Sequence, residues 1–116
     1  MKLWHDDVRR PPDGWTWVRT NNEAKEQLQT GNVDTISLDH DMGFHNLDPD
    51  NLGPYDHVTL RGTSDDNGMR LVEWMVENEI VPKTVLIHSW NTDGAKRMYL
   101  YLNEHGYDCT YEAYTP

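Results

Sequence analysis

Three short apolar segments that each end in acidic or histidine residues constrain the fold more than any other feature of the chain. They are residues 2–7 (KLWHDD), 35–41 (TISLDHD) and 84–89 (TVLIHS). Their length and apolar content are typical of buried strands. When such strands lie parallel in one sheet, their polar ends meet at the edge where open α/β sheets bind ligands. The sequence therefore predicts a centre built from carboxylates and imidazoles.

Strand and helix signals alternate along most of the chain. Strands are predicted over residues 3–5, 15–18, 33–38, 84–87 and 107–111. The first two are separated by a turn signal, PPDG at residues 11–14, and not by a helix. The order β-β-α-β-α-β-α-β predicts a right-handed, mostly parallel α/β sheet in which a Pro-rich loop replaces one crossover helix.

Three helices are predicted from capping signals and apolar spacing. Their predicted bounds are Thr20 to about Gly31, residues 65–67 to Pro82, and about Thr92 to Gly106. The first has a capping box, in which Thr20 and Glu23 satisfy each other's backbone amides. The predicted apolar faces are Met69, Val72, Met75 and Val76 in the second helix, and Ala95, Met98, Tyr99 and Leu102 in the third.

Size and charge limit the class of protein and its partners. The 116 residues are predicted to form a single domain over residues 1–116. The formal net charge of −10 repels long polyanions, which argues against duplex DNA as a partner. A small phosphate compound or one RNA end needs only a local cation. Cys109 is the single cysteine, and no segment resembles a signal peptide or a membrane span. We therefore expect a cytoplasmic protein that does not bind membranes.

The segment over residues 42–64 is too long for a simple connection in a compact domain. It contains three glycines and two prolines and directly follows the acidic end of the second segment. Loops of this length are usually functional or disordered, so we interpret it as a lid or specificity loop. His45, His57 and Arg61 are its candidate substrate contacts.

Acidic residues at two strand ends predict a metal site. Asp6, Asp7 and Asp39 can hold Mg²⁺ or another divalent ion and leave positions open for phosphate oxygens. The alternative is that they are ordinary turn acids that cap loops. Their mutual repulsion is expected to raise the pKa of one carboxyl group unless a cation, or Arg9 and Arg10, compensates for it.

Two histidines at strand ends are candidates for acid–base catalysis. His40 and His88 can face one phosphate from opposite sides, one taking a proton from water and the other giving one to the leaving oxygen. Each can instead be a structural histidine that hydrogen-bonds to the backbone. Ser89 directly follows His88, but neighbouring side chains in a strand point to opposite faces, so a Ser–His nucleophilic pair is disfavoured.

The start of the third helix is a candidate anion-binding element. Ser89, Asn91 and the first helix amides offer hydrogen-bond donors to a phosphate oxygen. Asn91 or Thr92 can instead serve simply as the helix N-cap. Arg97, one turn further along, either clamps the anion or is a solvated helix charge.

Three motifs together resemble the cyclic-phosphate processing receiver domains, a family derived from the response-regulator receiver fold and found in phages and bacteria. They are WHDDVR at residues 4–9, SLDHDMG at 37–43 and HSWNTDGAKRM at 88–98. The resemblance covers almost the whole chain. It implies a receiver-like (flavodoxin-like) three-layer sandwich with strand order 2-1-3-4-5. Matching motif positions are Asp6, Asp7, Asp39, His40, Asp41, His88, Ser89, Asn91 and Met98. No lysine follows Arg97, as phosphosignalling receivers would require at the end of the last strand.

The resemblance implies a phosphoesterase that opens cyclic phosphate groups, either 2′,3′-cyclic phosphates at RNA ends or cyclic nucleotides. Its expected catalytic residues are His40, His88 and Asp39, with Asp41, Ser89, Asn91 and Arg97 binding substrate and Asp6, Asp7 and Asp39 binding metal. Its expected setting is the bacterial cytoplasm, whether the chain is encoded by a phage or by the host.

Three non-enzymatic functions stay open alongside hydrolysis. The same pocket can sequester a cyclic nucleotide signal without cleaving it. An acidic protein can also imitate nucleic acid and occupy a basic partner. A degenerate receiver can serve as a docking module. The sequence does not distinguish turnover from sequestration, nor a monomer from an oligomer.

Overall fold

A computed structural model of the chain describes residues 1–42 and 67–111, and its elements follow the predicted order. They are β1 (Lys2–His5), β2 (Thr16–Val18), α1 (Asn21–Leu28), β3 (Thr35–Leu38), α2 (Gly68–Glu77), β4 (Thr84–Ile87), α3 (Thr92–Glu104) and β5 (Cys109–Tyr111). The predicted lid contacts His45, His57 and Arg61 lie outside the described residues.

The five strands form one parallel sheet in the order β2-β1-β3-β4-β5. Residues 6–15 join β1 to the parallel β2 without a helix, so the predicted replacement of the first crossover helix is confirmed. β1, β3 and β4 are adjacent, with Leu38 paired to both His5 and Ile87. The residues that follow these strands therefore emerge side by side at one edge.

Helix starts are set by the capping residues that the sequence indicates. Thr20 Oγ1 accepts the amide of Glu23 at 3.1 Å. Glu23 Oε1, however, accepts the amide of Arg19 at 2.8 Å, one residue before the position that a standard capping box uses. Gly31 lies just beyond the end of α1 with φ +78°, a left-handed conformation that glycine adopts without strain.

The apolar core lies between one face of the sheet and all three described helices. Alternate strand residues and the inward helix residues form one cluster, which includes Leu3, Ile36, Leu38, Val85, Ile87, Ala24, Leu28, Leu71, Val72, Met75, Ala95, Met98 and Leu102. Most of the predicted helix faces are confirmed. Tyr99 is 37% exposed, because α3 packs at the sheet margin through Ala95, Met98 and Leu102 and turns Tyr99 outward.

The opposite face of the sheet carries a different set of side chains. Strand alternation places Trp4, Ser37 and Leu86 there, and the register pairs Trp4 with Ser37 and Ser37 with Leu86. Within residues 1–42 and 67–111 the helices form a single layer, so no described helix supplies the third layer of the predicted sandwich. None of the described helices combines the length and apolar character needed to cross a bilayer.

Candidate functional site

The acidic and histidine strand ends converge at the carboxyl edge of the sheet. Asp6, Asp39 and His88 follow the adjacent strands β1, β3 and β4, and one ligand atom from each lies within 4.8 Å of the others. All three side chains are buried. Adjacent parallel strands in matched register thus assemble a compact polar group from positions 82 residues apart in the chain.

His88 is held on three sides, on the face of the sheet opposite the described helices. Its ring stacks on Trp4 with centroids 3.9 Å apart and planes 6° from parallel. Its Nδ1 lies 2.7 Å from Ser37 Oγ, and its Nε2 lies 2.9 Å from Asp6 Oδ2. Both ring nitrogens therefore have partners inside the protein.

Asp6 is the hydrogen-bonding centre of this group. Its Oδ1 accepts the backbone amides of Val8 at 2.9 Å and Arg9 at 2.7 Å. Burial alone would raise the pKa of Asp6, but the hydrogen bond and charge of His88, together with Arg9, lower it below its ordinary value. Burial lowers the pKa of His88. With Asp6 ionised and His88 neutral, Nε2 donates to Asp6 and Nδ1 accepts from the Ser37 hydroxyl.

Asp39 is the carboxyl group that resists ionisation. Burial raises its pKa well above the ordinary value, and the charges of Asp6, Asp7 and Asp41 raise it further. Arg9 opposes this from 3.7 Å, the distance between its Nη1 and Asp39 Oδ2. The predicted repulsion among these acids is thus confirmed, and Arg9 offsets only part of it.

A buried chain of polar contacts through His5 fixes the backbone of Asp39. The Asp39 amide donates to the His5 carbonyl at 3.0 Å and to His5 Nδ1 at 3.3 Å. His5 Nε2 lies 2.7 Å from Asn21 Oδ1, and Asn21 Nδ2 donates to the carbonyl of Asn67 at 2.9 Å. Sequence reasoning missed His5 as a site residue. The signal was a polar side chain at a core-facing strand position, where it must find buried partners.

His40 lies on the other side of the strand ends, towards α3. Its Nδ1 is 2.8 Å from Asp41 Oδ1, which also accepts Asn91 Nδ2 at 3.1 Å. Asn91 Nδ2 also lies 3.3 Å from His40 Nδ1. Because a carboxylate can only accept, the shorter contact with Asp41 assigns the proton to Nδ1 and the lone pair to Nε2. Nε2 has no hydrogen-bond partner within the described ranges, and the side chain keeps 12% of its surface exposed. His40 is thus oriented and able to accept a proton.

Two glycines allow the helices to approach these residues closely. A Cβ at Gly94 would lie 2.4 Å from His40 Cδ2, and one at Gly68 would lie 2.0 Å from the Asp39 carbonyl oxygen and 2.9 Å from Met98 Cε. No real Cβ tolerates such distances. The glycine of the HSWNTDGAKRM motif therefore has a steric explanation at the site, and the methionine of the motif packs against Gly68.

The other predicted site residues lie at the start of α3, in the loop after β1, or on the exposed surface of α3. Asn91 caps α3 by accepting the Gly94 amide at 3.0 Å, as the structural alternative predicted, and also binds Asp41. Ser89 is buried, and its Oγ accepts the Asn91 amide at 3.1 Å. Asp7 is buried but is not part of the group formed by Asp6, Asp39 and His88. Arg97 is exposed on α3.

The three buried residues fit a divalent ion by their donor atoms. Two carboxylates and one imidazole suit first-row divalent metals, and the carboxylates suit Mg²⁺. Binding of the ion through His88 Nε2 would move the ring proton to Nδ1, which would then donate to Ser37 Oγ. A metal-ligating histidine usually donates from its second ring nitrogen in this way. A bound cation would also relieve the repulsion that raises the pKa of Asp39.

The parallel sheet in the order β2-β1-β3-β4-β5, with acids after β1 and β3, defines a receiver-type α/β domain. The sequence model of the cyclic-phosphate processing receiver domain family matches residues 1–104 of the chain. The chain belongs to this family. The comparison with curated proteins gave no significant match.

Proposed function

We propose that this chain is a phosphodiesterase that opens cyclic phosphate groups, at RNA ends or on nucleotides, with His40 as the residue that exchanges protons. The observation that carries the proposal is the arrangement of His40. Asp41 holds its Nδ1 at 2.8 Å while Nε2 lacks a partner among the described residues. A histidine oriented by a carboxylate and open at its other nitrogen is suited to general acid–base work. Membership of a family described as cyclic-phosphate processing supports the substrate class.

The proposed reaction is hydrolysis. A water oxygen forms a bond to phosphorus, one ring ester P–O bond breaks, and the products are a phosphate monoester and a hydroxyl group. His40 Nε2 takes the proton from the attacking water and returns it to the departing ester oxygen. A divalent ion bound by Asp6, Asp39 and His88 would supply positive charge to the phosphoryl oxygens.

His88 is proposed to position Asp6 and to hold the divalent ion together with it, without exchanging protons with the substrate. Its nitrogens are engaged by Ser37 and Asp6, and Trp4 covers its ring. The structure therefore favours a positioning role for His88, in place of the equal share of acid and base roles expected from the sequence. Asn91 and Asp41 likewise position His40.

The test is turnover of 2′,3′-cyclic nucleotides, an RNA with a cyclic phosphate end and a panel of cyclic oligonucleotides, with Mg²⁺ or EDTA, followed by mass spectrometry. We expect His40→Ala to lower kcat/KM at least about 100-fold, the usual contribution of an acid–base group. His105→Ala is the matched control, because His105 lies at the far end of α3 and is exposed. Full activity in His40→Ala would overturn the mechanism. Stoichiometric binding with intact ligand would replace hydrolysis by sequestration.

A further inference from the structure

Arg9 lies against both carboxylates of the buried group. The Arg9 Nη1 atom is 3.4 Å from Asp6 Oδ2 and 3.7 Å from Asp39 Oδ2. The Arg9 side chain is 11% exposed, against 0% for Asp6 and 3% for Asp39. A cation supplied by the chain itself is therefore already paired with the oxygens that a divalent ion would need.

The backbone of Arg9 is fixed independently of its guanidinium group. Its amide donates to Asp6 Oδ1 at 2.7 Å, and its carbonyl accepts Trp4 Nε1 at 2.9 Å. The guanidinium carbon lies 4.3 Å from the centre of the Trp90 ring, a favourable cation–π distance. The side chain can thus change its partners without movement of the strand end that carries Asp6.

The guanidinium group is bound less well than the backbone. Strong hydrogen bonds between guanidinium and carboxylate groups are about 2.7–2.9 Å long, and both Arg9 distances exceed this range. Its Nε is buried and has no hydrogen-bond partner among residues 1–42 and 67–111. A buried donor without an acceptor carries a desolvation cost. A stronger cation can therefore displace the Arg9 guanidinium group from these carboxylates.

We propose that Arg9 is an exchangeable internal cation. It holds Asp6 and Asp39 together in the metal-free protein, and a divalent ion must displace its guanidinium from these carboxylates in order to bind. Arg9 is then a positioning residue that sets the metal affinity of the centre. The inference rests on the divalent ion of the proposed function but not on turnover, so metal binding tests it separately from catalysis.

The test is calorimetric titration of Mn²⁺ and Mg²⁺ into the full chain and into three variants. In Arg9→Gln we expect at least about tenfold tighter binding, because the competing charged contacts are removed. Arg9→Lys keeps the charge but loses the planar guanidinium group that lies over Trp90, so it is expected to bind the ion more weakly than Arg9→Gln does. Arg10→Gln is the matched control, because it removes the same charge from an exposed neighbour, and is expected to change affinity by less than about threefold.

A second readout follows the guanidinium directly. In ¹⁵N-labelled protein, the Arg9 Nε–H resonance is expected to shift with Mg²⁺ at the same midpoint as the calorimetric curve. An unmoved Arg9 resonance during Mg²⁺ binding would overturn the exchange. So would weaker binding in Arg9→Gln, an equal gain in Arg10→Gln, or no metal binding by any variant. Thermal unfolding of each variant establishes that it is folded.

Discussion

Asp39 carries a buried carboxyl group in the neighbourhood of three other acids, and this environment has a cost for folding. Its pKa is raised by burial and by the charges of Asp6, Asp7 and Asp41. The folded state therefore binds more protons than the unfolded state between the ordinary pKa of an aspartate and the raised value. Stability falls as the pH rises through that interval and is fully retained only below it.

Asp39→Asn is therefore expected to raise the urea midpoint of unfolding at about pH 7.5 in EDTA, because asparagine removes the charge that folding must bury. The gain should shrink at about pH 4, where the folded-state carboxyl group is protonated and about half of the unfolded-state groups are protonated as well. Asp13→Asn, which changes an exposed acid, serves as the control and should leave the midpoint nearly unchanged. An equal gain at both pH values would contradict the buried-charge explanation.

The thiol of Cys109 gives a second prediction about a single residue, this time about its chemical reactivity. Burial, with a smaller effect of Asp108, raises the pKa of its thiol to about 11. The reactive thiolate is therefore scarce at pH 8. We expect labelling by iodoacetamide to be about 100-fold slower in the folded protein than in urea, since each pKa unit reduces the thiolate tenfold. Labelling at equal rates in the two conditions would show that the thiol is neither buried nor perturbed.

At the scale of elements, the ends of helices and strands were predictable where a local chemical signal marks them. Thr20 and Asn91 occupy N-caps, and Gly106 adopts φ +82° after α3, as the sequence indicates. Strand ends were recognisable because an apolar run stops at an acid or histidine. Such signals work because capping and left-handed turns are satisfied within a few residues of chain.

Contacts between elements were less predictable from the sequence, although strand alternation predicts which side chains share a face of the sheet. Side chains at even and odd strand positions point to opposite faces. This rule places Asp6, Asp39 and His88 together and sends His40 to the helix side, as observed. The sequence named Arg9 and Arg10 alike as compensating cations. Strand alternation could not show that Arg9 is the one against both carboxylates, because a loop residue has no fixed periodicity.

The junction of α3 with the site gives a prediction at this scale. Gly94→Ala would push a methyl group against the His40 ring, where the Cβ distance is 2.4 Å. We expect it to destabilise the protein by about 1–3 kcal/mol, typical of overpacking, and to lower turnover by displacing His40. In a His40→Ala background the same change should be neutral or stabilising, because alanine is the better helix former. An equal cost in both backgrounds, measured by urea unfolding, would show that the steric contact is absent.

For the whole molecule, the sheet brings the reactive groups together while the overall charge governs what can approach them. The three strands β1, β3 and β4 need only be adjacent and parallel to present their ends at one edge. The formal charge of −10, by contrast, is a property of the whole chain, and it repels any extended polyanion. This charge agrees with the compact phosphate ligand that we propose and disfavours a long nucleic acid.

Salt dependence of turnover tests this balance. If the chain hydrolyses both substrates, raising NaCl from about 25 mM to about 300 mM should increase kcat/KM several-fold for an RNA oligomer with a 2′,3′-cyclic phosphate end, because salt screens its repulsion from the acidic protein. The matched control is the nucleoside 2′,3′-cyclic phosphate, which carries the same reactive group and only one negative charge. Its kcat/KM should change by less than about twofold. A fall in RNA turnover with salt would instead indicate a basic binding track, since contacts to nucleic-acid phosphates weaken as counterions compete.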